Sequence, residues 1–242
     1  MSSYFALIGF GPTGWGLQLL QASLMTLAVA CAGFLFGLAF GAIGAWAKLS
    51  GSRIARAASD AYTTVLRGVP DLLVIYLFYF GGSAVITGLG RWLGEEGFIG
   101  LNSFLVGALA VGIVSGAYQT EALRGAYRMI PRGELEAARA VGMGRALMFH
   151  RIVIPQVLRF ALPSMGNIWQ AVLKESALIS VTGLVELLRE THLAAGATRQ
   201  PFTFYMTGAV IYLVLTTLSG VLFQGAERRT TRSVRLPPVA MR

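Results

Sequence analysis

The chain has 242 residues, of which 55% are apolar and only 13% charged, a composition that excludes a domain with water on all sides. Its formal net charge of +9 raises the alternative of a nucleic-acid-binding surface, which the placement of the positive residues then excludes. The one cysteine, Cys31, excludes an intrachain disulfide and a cysteine-built metal cluster, and its setting among small apolar residues reads as packing.

No charged side chain occurs from Met1 to Ala47, and further uncharged runs cover Leu72 to Gly90, Gly97 to Thr120 and Gln200 to Ala226. Each can hold a helix of about 20 residues, the length a bilayer demands. A fifth run, Phe160 to Val185, is interrupted by Lys174 and Glu175. The expectation is one all-α domain over 1–242, with spans near 20–46, 62–88, 101–123, 158–183 and 202–224. A lipid-exposed backbone permits only helices or closed barrels, and the period-2 alternation of a barrel is missing. No basic n-region and no small-residue cleavage site precede the first run, so no removable signal peptide is read.

In the first span Gly33, Gly37 and Gly41 recur at every fourth residue, and Gly112 with Gly116 repeats the spacing in the third. Small residues on one helix face let two backbones approach, and these are read as internal packing. Trp15, Trp46 and Trp92 fall near span ends, where interfacial aromatics belong. Gly9, Gly11 and Gly14 match a dinucleotide fingerprint by accident, because no strand precedes them.

Basic residues decide the topology. With the N-terminus outside, Lys48, Arg53 and Arg56 fall on the first inner loop and Arg124, Arg128, Arg132, Arg139, Arg145, Arg151 and Arg159 on the second. Arg228, Arg229, Arg232, Arg235 and Arg242 then form an inner tail, leaving few basic residues outside. This is the positive-inside pattern, so the basicity reads as orientation in a membrane and no nucleic-acid partner is expected. His150 and His192 fall on opposite sides, no catalytic or metal-binding motif occurs, and no P-loop is present, so the chain holds no cofactor or metal site of its own. Any ATP hydrolysis belongs to a partner.

Between the third and fourth spans lies a segment, 134–155, longer than a connection needs. It reads as a helix from Glu134 to Val141, a break at Gly142 and Gly144, a second short helix, and Pro155 opening the next membrane element. Such an elbow could serve as a rigid knob for a soluble partner.

Glu136, Ala137 and Ala138, followed by Gly142, Ile152 and Pro155, resemble the EAA loop of bacterial ATP-binding-cassette importer permeases. The family ends this motif I-x-L-P, and here Ile152-Val153-Ile154-Pro155 stands in its place. The likeness extends to Tyr62 through Pro70, whose Arg67-Gly68-Val69-Pro70 opens the second span, to Tyr118 through Gly125 at the end of the third, and to Leu173-Lys174-Glu175-Ser176-Ala177-Leu178 in the fourth. With Glu227-Arg228-Arg229 in the tail, the chain is similar to the five-span permeases for histidine, lysine, arginine, ornithine and opines.

The resemblance implies a type I importer transmembrane domain whose coupling loop, 134–155, docks on an ATPase. Glu136, Ala137, Ala138, Gly142, Ile152 and Pro155 then lie at that contact. Implied partners are a paralogous permease, two ATPase subunits that carry ATP and Mg, and a periplasmic solute-binding protein, all at the inner membrane with the C-terminus cytoplasmic. It implies a transport subunit with no catalytic residue.

Two readings of Lys174 and Glu175 stand. Charges at bilayer depth are functional candidates, so Glu175 could attract a cationic amino acid, with Ser176, Asn167, Gln170 and Glu121 along the path. Alternatively, the pair satisfies structural partners such as Glu121 or Arg67. In some relatives an acidic residue follows the position matching Asn167. Here Ile168 stands there, which implies that the main substrate contact belongs to a second, non-identical permease. Glu186 and Glu190 are read as a solvated outer loop able to meet a binding protein. Other solutes, glutamine and glutamate among them, and an intramembrane enzyme or channel are the competing classes.

Overall fold

The computed structural model describes residues 7–12, 14–92 and 100–231, and among these every regular element is helical. In chain order, α1 is Gly16–Leu49 and α2 is Arg53–Gly68. The third helix, α3, joins Asp71–Tyr76, a π turn Leu77–Gly81 and Gly82–Trp92. Helix α4 is Ser103–Arg128 and α5 is Arg132–Ala140, while α6 joins Arg145–Met148, a π turn Phe149–Val153 and Ile154–Glu175. A 3-10 turn, Ser176–Thr182, leads to α7, Leu187–Thr198, and the chain descends through α8, Pro201–Thr231. Arg232, Arg235 and Arg242 of the basic tail lie outside the described residues.

Four of these helices are long and apolar enough to cross a membrane: Gly16–Leu49, Asp71–Leu89, Ser103–Arg128 and Pro201–Thr230. The helix at the fourth expected span, α6, falls short by composition because Arg159, Asn167, Gln170, Lys174 and Glu175 interrupt it. Packing gives α6 its place. Its Trp169 meets Phe34 of α1 edge-on at 5.6 Å and stacks on Phe223 of α8 at 6.2 Å between ring centroids. Val29, Val111, Val172 and Leu173 fill the same core.

The second span begins later than the expected 62. Helix α2 ends at Gly68, Val69 is extended, and Pro70 precedes the new helix at Asp71. Proline disfavours a helical conformation in the residue before it, so the R-G-x-P segment is an elbow. Helix α2 folds back along α1, with the Ser59 hydroxyl donating to the Gly44 carbonyl at 2.9 Å and Tyr62 donating to the Ile113 carbonyl at 2.7 Å. The fourth span likewise gives up α-helical geometry at Glu175, and its 3-10 extension stops at Gly183, whose φ of 87° suits a residue without a side chain.

The largest helix contact joins α1 to α4. The two run parallel, Gly33 lying beside Val111, Gly37 beside Gly112, Gly41 beside Gln119 and Gly44 beside Thr120. The glycine faces noted in the sequence therefore meet each other. A Cβ at Gly41 would stand 2.7 Å from Cβ of Gln119, and one at Gly112 would stand 2.6 Å from Cβ of Phe36. Large side chains on α1 turn the other way, with Leu17, Leu24, Leu35 and Ile43 exposed. This distribution suits lipid, where aliphatic chains gain nothing by hiding and close backbone packing supplies the attraction. Cys31 is on that outer surface, so it does not pack in the core as its neighbours suggested.

Glu186 and Glu190 also depart from expectation. Neither is a solvated loop residue: Glu186 is fully buried and Glu190 nearly so. Glu186 caps α7, accepting hydrogen bonds from the Leu188 and Arg189 amides at 2.9 and 2.8 Å and from the Tyr212 hydroxyl of α8 at 3.0 Å. The Thr26 hydroxyl of α1 accepts from the Leu187 amide at 3.0 Å. A helix start leaves its first amides unpaired, and one carboxylate here satisfies two of them while tying α7 to α8.

Two substitutions test this packing. Gly41→Leu should destabilise the purified protein by about 1–3 kcal/mol through overpacking, seen as a lower thermal midpoint in detergent, whereas Gly125→Ala, which meets open space, should not. Glu186→Ala should cost on the order of 3 kcal/mol, since a cap and buried donors are lost together; an unchanged midpoint would refute the capping role.

Candidate functional site

The elbow between α4 and α6 is built from backbone geometry. Helix α5 ends at Ala140 with Val141 as its cap, and Gly142 takes φ of 78° in the left-handed region. The Gly142 amide donates to the Arg139 carbonyl at 2.9 Å and the Met143 amide to the Ala138 carbonyl at 3.0 Å. Those two bonds define a Schellman stop, in which a left-handed residue satisfies the carbonyls a helix end leaves open. Gly142 is thus required by conformation, and nothing lies within 4 Å of where its Cβ would be.

The short helix then rises through the π turn into Ile154–Glu175, with Pro155 in its first turn; proline has no amide to donate back, and the π turn immediately before it takes up that break in the α-helical pattern. The Gln156 amide group donates to the Glu134 carboxylate and straps α5 to α6. Ala138 is buried at the hinge of this strap, while Glu136, Ala137 and Gly142 are exposed. Ala137, Ala138, Val141, Met143, Ile152 and Pro155 line one shallow depression of about 410 Å³. The structure therefore brings together four of the six residues expected at a coupling contact, with Glu136 and Gly142 on the adjoining surface. Val141 and Met143 were missed by sequence reasoning. Val141 is 77% exposed, an apolar side chain offered to whatever docks there.

The candidates for a substrate path do not converge on one point. Glu175 is half-buried at the end of α6, and the Asp71 carboxylate of α3 lies within electrostatic reach of it. Lys174 is exposed and forms no ion pair with Glu175 among the described residues. At about 100° per residue, Asn167 sits roughly 80° from Glu175 around the helix and Gln170 roughly 140°. Gln170 instead faces α8, within contact distance of Gly220. Ser176 is fully buried and donates to the Leu173 carbonyl at 2.8 Å, so its hydroxyl is committed to the backbone.

Glu121 belongs to a separate charged group. Lys48 Nζ lies 2.6 Å from Glu121 Oε1, 2.7 Å from Asp60 Oδ1 and 2.7 Å from Thr63 Oγ1, and Arg124 pairs with the other Glu121 oxygen. Arg67 sits 5.3 Å over the Tyr118 ring beside a polar cavity of about 420 Å³ that Lys48, Thr64 and Glu121 also line. Neither Glu121 nor Arg67 is the partner of Lys174 or Glu175. Lys48 counted only as a topology marker in the sequence, although a lone lysine closing 47 uncharged residues sits where a membrane helix leaves lipid. Asp71 was hidden because it directly follows the proline elbow.

Comparison with known proteins places this geometry among transport components. Residues 33–232 match the family model described as the binding-protein-dependent transport system inner membrane component. The chain is 57% identical over 232 residues to the octopine transport system permease protein of Agrobacterium tumefaciens (strain Ach5), covering 96% of this chain and 98% of that one. It is 38% identical to the histidine/lysine/arginine/ornithine transport system permease protein of Escherichia coli (strain K12), covering 92% and 97%. A crystal structure of an amino acid ABC transporter with histidines superimposes at a TM-score of 0.74 with 30% identity, covering 89% of this chain and 95% of that one.

The Schellman stop is testable within a complete importer. Gly142→Val should strain the left-handed residue by about 1–2 kcal/mol and abolish uptake, while Gly133→Ala in the same helix, where a Cβ meets open space, should transport normally. Normal uptake by Gly142→Val, with membrane insertion intact in both, would remove the coupling assignment.

Proposed function

The chain belongs to the family of binding-protein-dependent inner-membrane transport components, and from that membership we propose that it is the permease subunit through which an ABC importer moves opines or basic amino acids. It is a multi-pass transport subunit rather than an enzyme, working with ATPase and substrate-binding partners. The proposed substrate class rests on the similarity to octopine and histidine/lysine/arginine/ornithine permeases over nearly the whole chain. The proposed orientation, N-terminus periplasmic and C-terminus cytoplasmic, rests on the clustering of basic residues at the end of the bundle that carries Lys48, Arg124 and the elbow.

The observation that carries the mechanism is the apolar depression beside an exposed, glycine-stopped helix. Closure of the ATPase dimer, which holds ATP and Mg, pushes on α5 around Glu136 and Gly142. The strap from Gln156 to Glu134 and the continuous rod of α6 pass that displacement toward Glu175, at the far end of the 22-residue segment that begins at Ile154. Membrane helices then exchange an inward-open for an outward-open cavity.

Glu175 is the proposed contact for a cationic group on the substrate, supported by its partial burial, its lack of an ion-pair partner among the described residues and the added negative charge of Asp71. Asn167, exposed on the adjoining side of α6, is the proposed neutral contact. Ile168 leaves the path with a single acidic anchor on this helix, which favours pairing with a non-identical permease that supplies another.

The test is ATPase activity of the chain reconstituted in nanodiscs with its neighbouring-gene permease, ATPase and binding protein, comparing octopine, nopaline, arginine, lysine, histidine and glutamine. Stimulation by an opine or basic amino acid is expected, and Glu175→Gln should weaken it about tenfold in apparent affinity, the effect of losing one charged hydrogen bond. Stimulation by glutamine alone would overturn the substrate class.

A further inference from the structure

We propose that the basic end of the bundle carries a binding site for one anionic phospholipid, in the cleft between α1, α4 and the elbow. This is independent of the transported substrate. The cleft is the largest of the described cavities that bear on the elbow, about 880 Å³, and its lining changes character along the helix axes. Ala42 of α1, Leu123 of α4 and Val157 and Leu158 of α6 line its deeper part, all inside helices of the bundle. Toward the end of α1 come Trp46, 71% exposed, and Leu49. Beyond them stand Tyr127, Arg139 and Arg145.

Chain directions fix this gradient. Helices α1 and α4 run toward the elbow and α6 runs away from it, so Ala42, Leu123 and Leu158 are the deep positions and Tyr127, Arg139 and Arg145 the outer ones. The lining includes two arginines and no acidic residue. An occupant must therefore be apolar over its deep half and negatively charged at the outer end, within reach of two guanidinium groups and a phenol. A phospholipid with a net negative headgroup has that order of chemistry, and basic pockets between membrane helices take such headgroups. A water-soluble protein would have to place its own apolar surface at bilayer depth to fill the same volume. Trp46 at the boundary is the residue type that membranes hold at headgroup level.

Arg139 lies on α5, three residues before the glycine stop, and Arg145 opens the rod of α6. A headgroup held by both would bridge the two arms of the elbow, in a cleft that adjoins the depression offered to the ATPase through Met143, which lines both. Under the proposed orientation this is the inner leaflet.

The experiment is native mass spectrometry of the complete importer, purified with this permease, its partner and the ATPase, after exchange into defined mixtures of phosphatidylglycerol and phosphatidylcholine. One retained phosphatidylglycerol per copy of this chain is expected. Each of Arg139→Gln and Arg145→Gln should weaken its retention about fivefold, the equivalent of roughly 1 kcal/mol per basic residue at a membrane surface. Ala42→Phe, at an exposed position, should displace the lipid without any change of charge. Equal retention of the two lipids would overturn the proposal, as would retention indifferent to all three variants. A cross-link from Ala42→Cys, in a Cys31→Ser background, that captures another protein subunit would overturn it too.

Discussion

The architecture depends on the near-contact of two backbones. Helices α1 and α4 lie side by side because Gly33, Gly37, Gly41 and Gly112 leave no side chain between them. In water, burying leucine would hold such helices together; in lipid the leucines have equal company outside, and van der Waals contact between backbones takes over. Everything else is arranged around this parallel pair. Helix α2 hangs on it through Ser59 and Tyr62, and α6 lays Trp169 against Phe34 of the same seam. Because α1 and α4 point the same way, both bring their C-terminal ends to the region of the elbow.

That convergence gives the charged residues their roles. Two negative helix ends meet there, and basic side chains are favourable beside them. Lys48 and Arg124 both sit in last turns or near them, and both hold Glu121, so a carboxylate of α4 is neutralised from two helices at once. The opposite half of the bundle uses a single buried acid, Glu186, whose charge is spread over two helix-start amides and a phenol. Both arrangements follow the rule that ionised groups away from water are paired or hydrogen-bonded. Glu175, half-buried at the end of α6, has no such partner among the described residues, which is why it remains the residue to watch in the translocation path.

The helical class, four of the apolar runs and the elbow were legible because each has a signal of its own: length without charge, glycine at fixed spacing, and a proline after a broken helix. Gly142 could be picked out since only glycine accepts the left-handed conformation cheaply. Three things were not legible. The start of the second span at Asp71 was masked because Tyr62 to Leu66, uncharged residues of α2, read as continuous with the apolar run beyond the elbow. The burial of Glu186 could not be foreseen, since a glutamate between two spans reads as loop, and its partners Thr26 and Tyr212 are 160 and 26 residues away. The scattering of Asn167, Gln170, Ser176 and Glu121 was hidden because proximity in sequence on a helix says nothing about which neighbour each face meets.

Helix α1 has a consequence for the surrounding bilayer. Its 34 residues amount to about 51 Å at 1.5 Å per residue, against a hydrocarbon layer of about 30 Å. Its first turns carry Gln18 and Gln21, both exposed, which can stand clear of the hydrocarbon layer, and the remaining excess is accommodated by tilt. The α4 helix, locked to it by glycine contacts, inclines with it. Membrane thickness thereby becomes a mechanical variable: a thinner bilayer leans the pair further over, and the elbow at its foot shifts sideways with the lean.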